Sequence, residues 1–148
     1  MEIHTDVRLT EEETLQLLKH FDDSSDVPLH QSLDFVSYSE KLSLCAHFLL
    51  AINDGKYMGF IAYYLNAEGN FVYIPQIVVH KDGRHMGIGH MMMAALQEMC
   101  FGKYEKVLLE VLNTNLNARK FYEREGFIEE EKHGERLLLS KSLIEKEK

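Results

Sequence analysis

Tryptophan is absent from this 148-residue chain, and cysteine and proline occur only twice each. Two cysteines are too few for a disulfide framework. Cys45 and Cys100 each sit in an apolar stretch of helical spacing, so they read as two buried thiols in a reducing cytoplasm. With only Pro28 and Pro75 there is no proline-rich linker, and no repeat or low-complexity stretch divides the chain. Residues 1–148 therefore read as one domain, long enough to bury a core, with disorder expected only over Glu145–Lys148. No apolar run approaches the roughly 20 residues of a membrane span. The stretch Met1–Arg8 is polar and alternating, unlike a secretory leader. Positive charge is also scarce: 16 Lys and Arg face 24 Asp and Glu, a net charge of -8. That balance argues against nucleic acid or an anionic membrane as the main partner. It does not exclude a phosphorylated small molecule, which needs only local donors.

What is present is an ordinary globular mixture, 45% hydrophobic and 27% charged, so periodicity can be read directly. Residues 2–8 alternate like a strand. Thr10 and Glu13 have the spacing of a capping box, and the helix they start should bury Leu15, Leu18 and Phe21. A polar loop from Asp22 to Leu29 follows. Asp34 can cap a second helix with Phe35, Tyr38, Leu42 and Cys45 on its apolar face. Three strand-like runs come next, His47–Ile52, Lys56–Leu65 and Phe71–Val79, with turns at Asn53-Asp54-Gly55 and Glu68-Gly69-Asn70. Helical spacing resumes at Ile88, Met91, Met92, Ala95, Leu96 and Met99. Lys106–Leu112 reads as a strand, Asn115–Glu125 as a helix, and Phe127–Lys132 with Glu135–Ser142 as a hairpin about His133-Gly134. The order is β-α-α-β-β-β-α-β-α-β-β. Its strand-helix-strand passage from Phe71 to Leu112 implies a right-handed crossover between parallel neighbours.

The most informative stretch runs from Gln76 to His90. A strand ends at Val79, a loop with glycine follows, and a helix begins near Gly87. Such a helix start exposes unpaired N–H groups and the positive end of a dipole, which suits a phosphate. Gly87 and Gly89 would let an anion approach the backbone, and Arg84 supplies a fork of donors. A plain strand-to-helix turn with glycines for packing is the competing reading. A dinucleotide fingerprint fails because its third glycine position holds Met92, and the triphosphate loop lacks its Gly-Lys-Ser/Thr.

The pattern Val79-x-x-x-x-Arg84-x-x-Gly87-x-Gly89 resembles motif A of the GNAT family of N-acetyltransferases, over about residues 77–101. A second stretch, Asn115-Leu-Asn117-Ala118-Arg-Lys-Phe121-Tyr122-Glu-Arg-Glu-Gly126-Phe127, resembles that family's motif B, over about 113–127. The resemblance implies a three-layer α/β/α fold. Its sheet is mixed, mostly antiparallel, of about seven strands, with a splayed fourth and fifth pair. Pro75, which cannot donate to a ladder, agrees with a bulge in that fourth strand.

The resemblance also implies acetyl-CoA as cosubstrate, without a metal. Backbone amides of Arg84, His85, Met86, Gly87, Ile88, Gly89 and His90 would hold its pyrophosphate. Ile77, Val78 and Val79 would offer backbone groups to the pantetheine and one N–H to the thioester carbonyl, an oxyanion-type contact. Asn115, Asn117 and Tyr122 would complete the cofactor site. Asn115 can also cap its helix, and Gly126 suits a left-handed helix end. Met86 departs from the pattern, where a basic residue is common, and leaves Lys81 and His85 as the nearby cations.

Tyr122 matches the tyrosine that the family often uses as general acid toward the departing thiolate; packed on the core, it would do nothing chemical. The base is less legible. Histone-acetylating members carry a glutamate on the fourth strand, and Tyr73 stands there. Glu110, acting through water, is the first candidate and His80 the second, while an exposed structural role for Glu110 stays open. Arg119 and Lys120 either meet the ribose phosphate or lie solvated.

His80, His85 and His90 recur every five residues, a spacing that does not gather metal ligands on a helix face. Met91, Met92 and Met99 read as core. Glu129–Glu131 reads as an edge made unattractive to other strands. The expected function is transfer of an acetyl group from acetyl-CoA to a small-molecule primary amine by direct attack, in a protein able to form a homodimer. The alternatives are a non-catalytic acyl-CoA sensor, another acyl group or hydroxyl acceptor, or a module for a different phosphorylated ligand. Acceptor choice would lie in Phe21–Tyr38 and Lys132–Arg136. The acidic balance favours a cationic acceptor such as an amino acid, polyamine or amino sugar.

Overall fold

The computed structural model describes residues 1–25 and 27–144, so the tail reading for Glu145–Lys148 lies outside the described residues. The elements are β1 (Glu2–Val7), α1 (Glu11–His20), α2 (Leu29–Ser32), α3 (Phe35–Cys45), β2 (His47–Asn53), β3 (Lys56–Asn66), β4 (Phe71–Val79), α4 (Ile88–Cys100), β5 (Lys106–Leu112), α5 (Leu116–Arg124), β6 (Ile128–His133) and β7 (Arg136–Ser142). The expected order holds, with two additions: the single-turn α2 and a 3-10 turn over Lys81–Gly83. No described helix is long and apolar enough to cross a membrane.

The local signals act as written. Thr10 and Glu13 form the reciprocal capping box of α1. Asp34 accepts from the amides of Val36 and Ser37. Asp54 and Gly55, both left-handed, close the β2–β3 hairpin.

Seven strands make one sheet in the order β1-β2-β3-β4-β5-β7-β6. All neighbours are antiparallel except β4 and β5. α1 and α3 cover one face through Leu17, Leu18, Phe21 and Leu42 on Phe48, Phe60 and Val78. α4 and α5 cover the other, where Ile88, Met92, Met93 and Leu96 meet Leu49, Ile61, Val72, Val107 and Tyr122. This is the three-layer arrangement that the resemblance implied.

Three buried stripes are phased differently from the reading above. α4 buries Met93 rather than Met91, which is 37% exposed. Its phase is set by Gly59 of β3: a Cβ there would come within 2.9 Å of the Met92 thioether, so the missing side chain forms the socket for Met92. In α3 the buried series is Ser39, Leu42 and Ala46. Cys45, one position earlier than Ala46, turns to solvent, and only Cys100 is a buried thiol. In α1, Thr14 and Leu17 are buried where Leu15 is only half-buried.

Candidate active site

The site begins at Pro75. Above it, Phe71–Ile74 of β4 pair in parallel with Lys106–Leu109 of β5. Below it the strands part: β4 continues to Val79 on β3 alone, and β5 continues to Leu112 on β7 alone. The β3 register slips at the same place, with Ala62 opposite Gln76 and Tyr64 opposite Tyr73. Proline has no N–H for the ladder, and the bulge turns the rest of β4 away. A cleft of about 820 Å³ fills the gap. Its walls include Ile74–Ile77, Leu109–Leu112, Asn115–Ala118 and Tyr122. Gln76, Ile77 and the facing end of β5 thus present backbone groups with no partner strand between them, a slot suited to an extended polar chain such as a pantetheine.

At one end of the slot, His85 and Gly87 are left-handed, at φ 66° and 74°, and α4 starts without any side chain capping it. No neighbour lies within 4 Å of a Cβ placed on Gly87, and the first-turn amides of Ile88, Gly89 and His90 have no partner within their own helix. Gly89 also has a packing role. A Cβ there would come 3.1 Å from the Phe121 ring, so its smallness seats α5 on α4. His90 reinforces that seat through Nδ1, 2.8 Å from Glu125 Oε2.

Arg84 is committed as well. Its Nη2 donates to the Ser24 carbonyl at 2.6 Å, and the Lys81 amide donates to Ser24 Oγ at 3.1 Å. Both clip the α1–α2 loop to the loop before α4. Arg119, expected to face outward, donates to the carbonyl and the Oδ1 of Asn113 at 3.0 and 3.1 Å.

Tyr122 comes from α5. Asn115 caps that helix by accepting from the Ala118 amide, and left-handed Gly126 ends it. The phenol packs edge-on between Phe121 and Phe127, yet it also lines the cleft. Among the described residues its hydroxyl makes no hydrogen bond. Burial pushes its pKa above that of an ordinary phenol.

Glu110 lines the cleft from the opposite face of β5, since Val107, Leu109 and Val111 point to α4 and Glu110 alternates with them. Tyr73 Oη donates to its Oε1 at 3.3 Å, and His133 Nδ1 donates to its Oε2 at 3.2 Å. The other ring nitrogen of His133 lies 2.6 Å from Glu131 Oε2. An imidazole with a carboxylate at each nitrogen must donate from both, so His133 is an imidazolium. Its hydrogen bonds to the Glu131 and Glu110 carboxylates raise its pKa.

His80, the second candidate base, is elsewhere. It is buried beside His20 and Phe21, and its Nδ1 accepts the Asp82 amide at 3.1 Å. Desolvation lowers its pKa. Of the expected site residues, the fold brings Ile77, Glu110, Asn115, Asn117 and Tyr122 to the cleft wall, sets His85–His90 around the α4 start, and turns Val78 into the α1/α3 core. Sequence reading missed the clamp of Tyr73 and His133. The parity of β5 and the His133-Gly134 hairpin together put all three on one sheet face, and that was the available signal.

The comparisons with known proteins agree with this geometry. The model of the acetyltransferase (GNAT) family matches residues 10–127. A sequence comparison with curated proteins finds no match. Among solved structures, the paia N-acetyltransferase of Thermoplasma acidophilum, in complex with coenzyme A, superposes with a TM-score of 0.77 at 20% identity, over 96% of this chain and 99% of its own. The smu.2055 protein of Streptococcus mutans gives 0.77 at 23% identity, over 97% and 100%. The ribosomal-protein-alanine N-acetyltransferase of Brucella melitensis gives 0.71 at 18%, over 96% and 99%. At these identities the likeness is one of fold.

Proposed function

The chain belongs to the acetyltransferase (GNAT) family, and from that premise we propose that it moves the acetyl group of acetyl-CoA to the primary amine of a small molecule in the slot between β4 and β5. The observation that carries this reading is the placement of Tyr122 and Glu110 on one cleft from opposite faces of the sheet. The open amides at the start of α4 take the pyrophosphate. The unpaired edge of β4 around Ile77 holds the pantetheine and directs an N–H at the thioester carbonyl, where negative charge develops.

Glu110, through a water, takes a proton from the acceptor ammonium, whose pKa is about 10.4 for an alkylamine. The neutral nitrogen attacks the carbonyl carbon: the N–C bond forms, the C–S bond breaks, the sulfur leaves with its electron pair, and the nitrogen sheds its surplus proton to water. Tyr122 donates its hydrogen bond, and formally its proton, to that sulfur, and is reprotonated from solvent. Because burial raises its pKa, Tyr122 remains a donor throughout the neutral range. Tyr73 and His133 keep Glu110 aimed.

Calorimetry with CoA, ATP and NAD, followed by mass spectrometry of products from amine and alcohol acceptors, tests this. Selective CoA binding and an N-acetylated product are expected. Equal binding of the three nucleotides, or acetylation only at oxygen, would refute it.

A further inference from the structure

On the face of the sheet away from α4, α1 and α3 cover β2 to β4 and leave β5, β7 and β6 open. Four charged groups stand together on that open floor: Glu110, Glu131, His133 and Arg136. Glu110 faces Leu138, and Leu112 faces Arg136, so Glu110 and Arg136 are diagonal cross-strand neighbours, with backbones on the order of 7–8 Å apart. Both line the cleft.

They are not paired with each other. Glu110 accepts from Tyr73 and His133, and His133 reaches on to Glu131. Among the described residues Arg136 has no ion pair or side-chain hydrogen bond. The positive charge of Arg136 is felt at Tyr73, the group that holds Glu110. A carboxylate has about four acceptor positions, so Glu110 keeps capacity for an ammonium after its two clamps. A guanidinium fork, in turn, matches a carboxylate in bidentate fashion. The floor of the acceptor site therefore offers the Glu110 carboxylate and, diagonal to it, a cation with no ion pair among the described residues.

We propose that the acceptor is an amino carboxylate of amino-acid type, its ammonium on Glu110 and its carboxylate on Arg136. The proposal rests on the transferase reading above and narrows it. A diamine would set its second cation against Arg136. An uncharged amino sugar would leave the guanidinium unmatched. Leu29, Leu33 and Tyr38 also line the cleft.

The test uses matched acceptors that share one carbon skeleton: an amino acid, its amide, the decarboxylated amine and a diamine. Each is assayed with acetyl-CoA on the wild type and on Arg136→Ala, Arg136→Lys and Lys41→Ala. Lys41 lies outside the cleft over the Tyr64 ring, so its loss removes the same charge elsewhere. In the wild type the amino acid should exceed its amide in kcat/KM by at least about tenfold, the size of one charge-assisted contact. Arg136→Ala should erase that margin through KM, bringing the amino acid down to the level of the amide. Arg136→Lys should restore part of it, and Lys41→Ala should keep it whole. If the amide or diamine equals the amino acid in the wild type, or the margin survives Arg136→Ala, the proposal is overturned while the transferase reading stands. If no amine is acetylated although CoA binds, both fall together.

Discussion

Tyr122 and His133 show how single residues here carry opposite protonation demands. Tyr122 sits in the α4-side core, where ionisation is penalised, so it acts as a fixed donor and not as a group titrating near neutrality. Tyr122→Phe removes one hydroxyl and leaves the packing of Phe121 and Phe127 in place. Its kcat should fall about ten- to hundredfold, while the calorimetric affinity for CoA changes less than about twofold. A kcat within about twofold of wild type would remove Tyr122 from the chemistry.

His133 is half-exposed, and its pKa is raised by two carboxylates. A raised histidine pKa stabilises the fold fully below the unfolded value, about 6.5, and that stability is lost as pH rises through the folded value. The Tm gap between wild type and His133→Gln should therefore be largest below about pH 6.5 and shrink as pH rises above it. A gap that widens with pH would contradict the imidazolium assignment. Glu110 was visible in the sequence as a candidate base, but its clamp was not. His133 is 23 positions away, and only the β5-β7-β6 register joins the two.

At the scale of elements, the strands, turns and caps were largely legible because each rests on local chemistry. Thr10 with Glu13, Asp34, Asp54-Gly55 and Asn115 all act within a few residues of themselves. What was not legible depends on distant partners. The phase of α4 is set by a socket at Gly59, and Arg84 is claimed by a carbonyl 60 residues away. The two glycines of the α4 start separate by the same logic. Gly87 is left-handed with free space around it, so Gly87→Ala should cost about 1 kcal/mol in backbone strain alone. Gly89→Val instead drives methyls into Phe121 and should cost about 1–3 kcal/mol by overpacking. Urea unfolding of both variants checks this. The picture is wrong if Gly89→Val is as stable as wild type.

Over the whole molecule, a sheet continuous through seven strands is opened at one place by one proline and one register slip. The α1–α2 loop is tied to the α4 loop through Ser24, which joins the acceptor wall to the cofactor turn. On the proposed function, acetyl-CoA enters the slot from the α4 side and the acceptor from the open floor of β5, β7 and β6. The fold and the two motifs could be read ahead of the structure. The acceptor floor could not, because Tyr73, Glu110, His133 and Arg136 come from four strands and meet only through pairing.

The most direct measurement is the ratio of free thiol released from acetyl-CoA to N-acetylated acceptor formed, followed in one reaction with a primary amine. Transfer in the β4–β5 slot predicts one thiol per N-acetyl group, with both rates lowered together in Tyr122→Phe. Thiol release without N-acetyl product, or a rate untouched by that substitution, would contradict it.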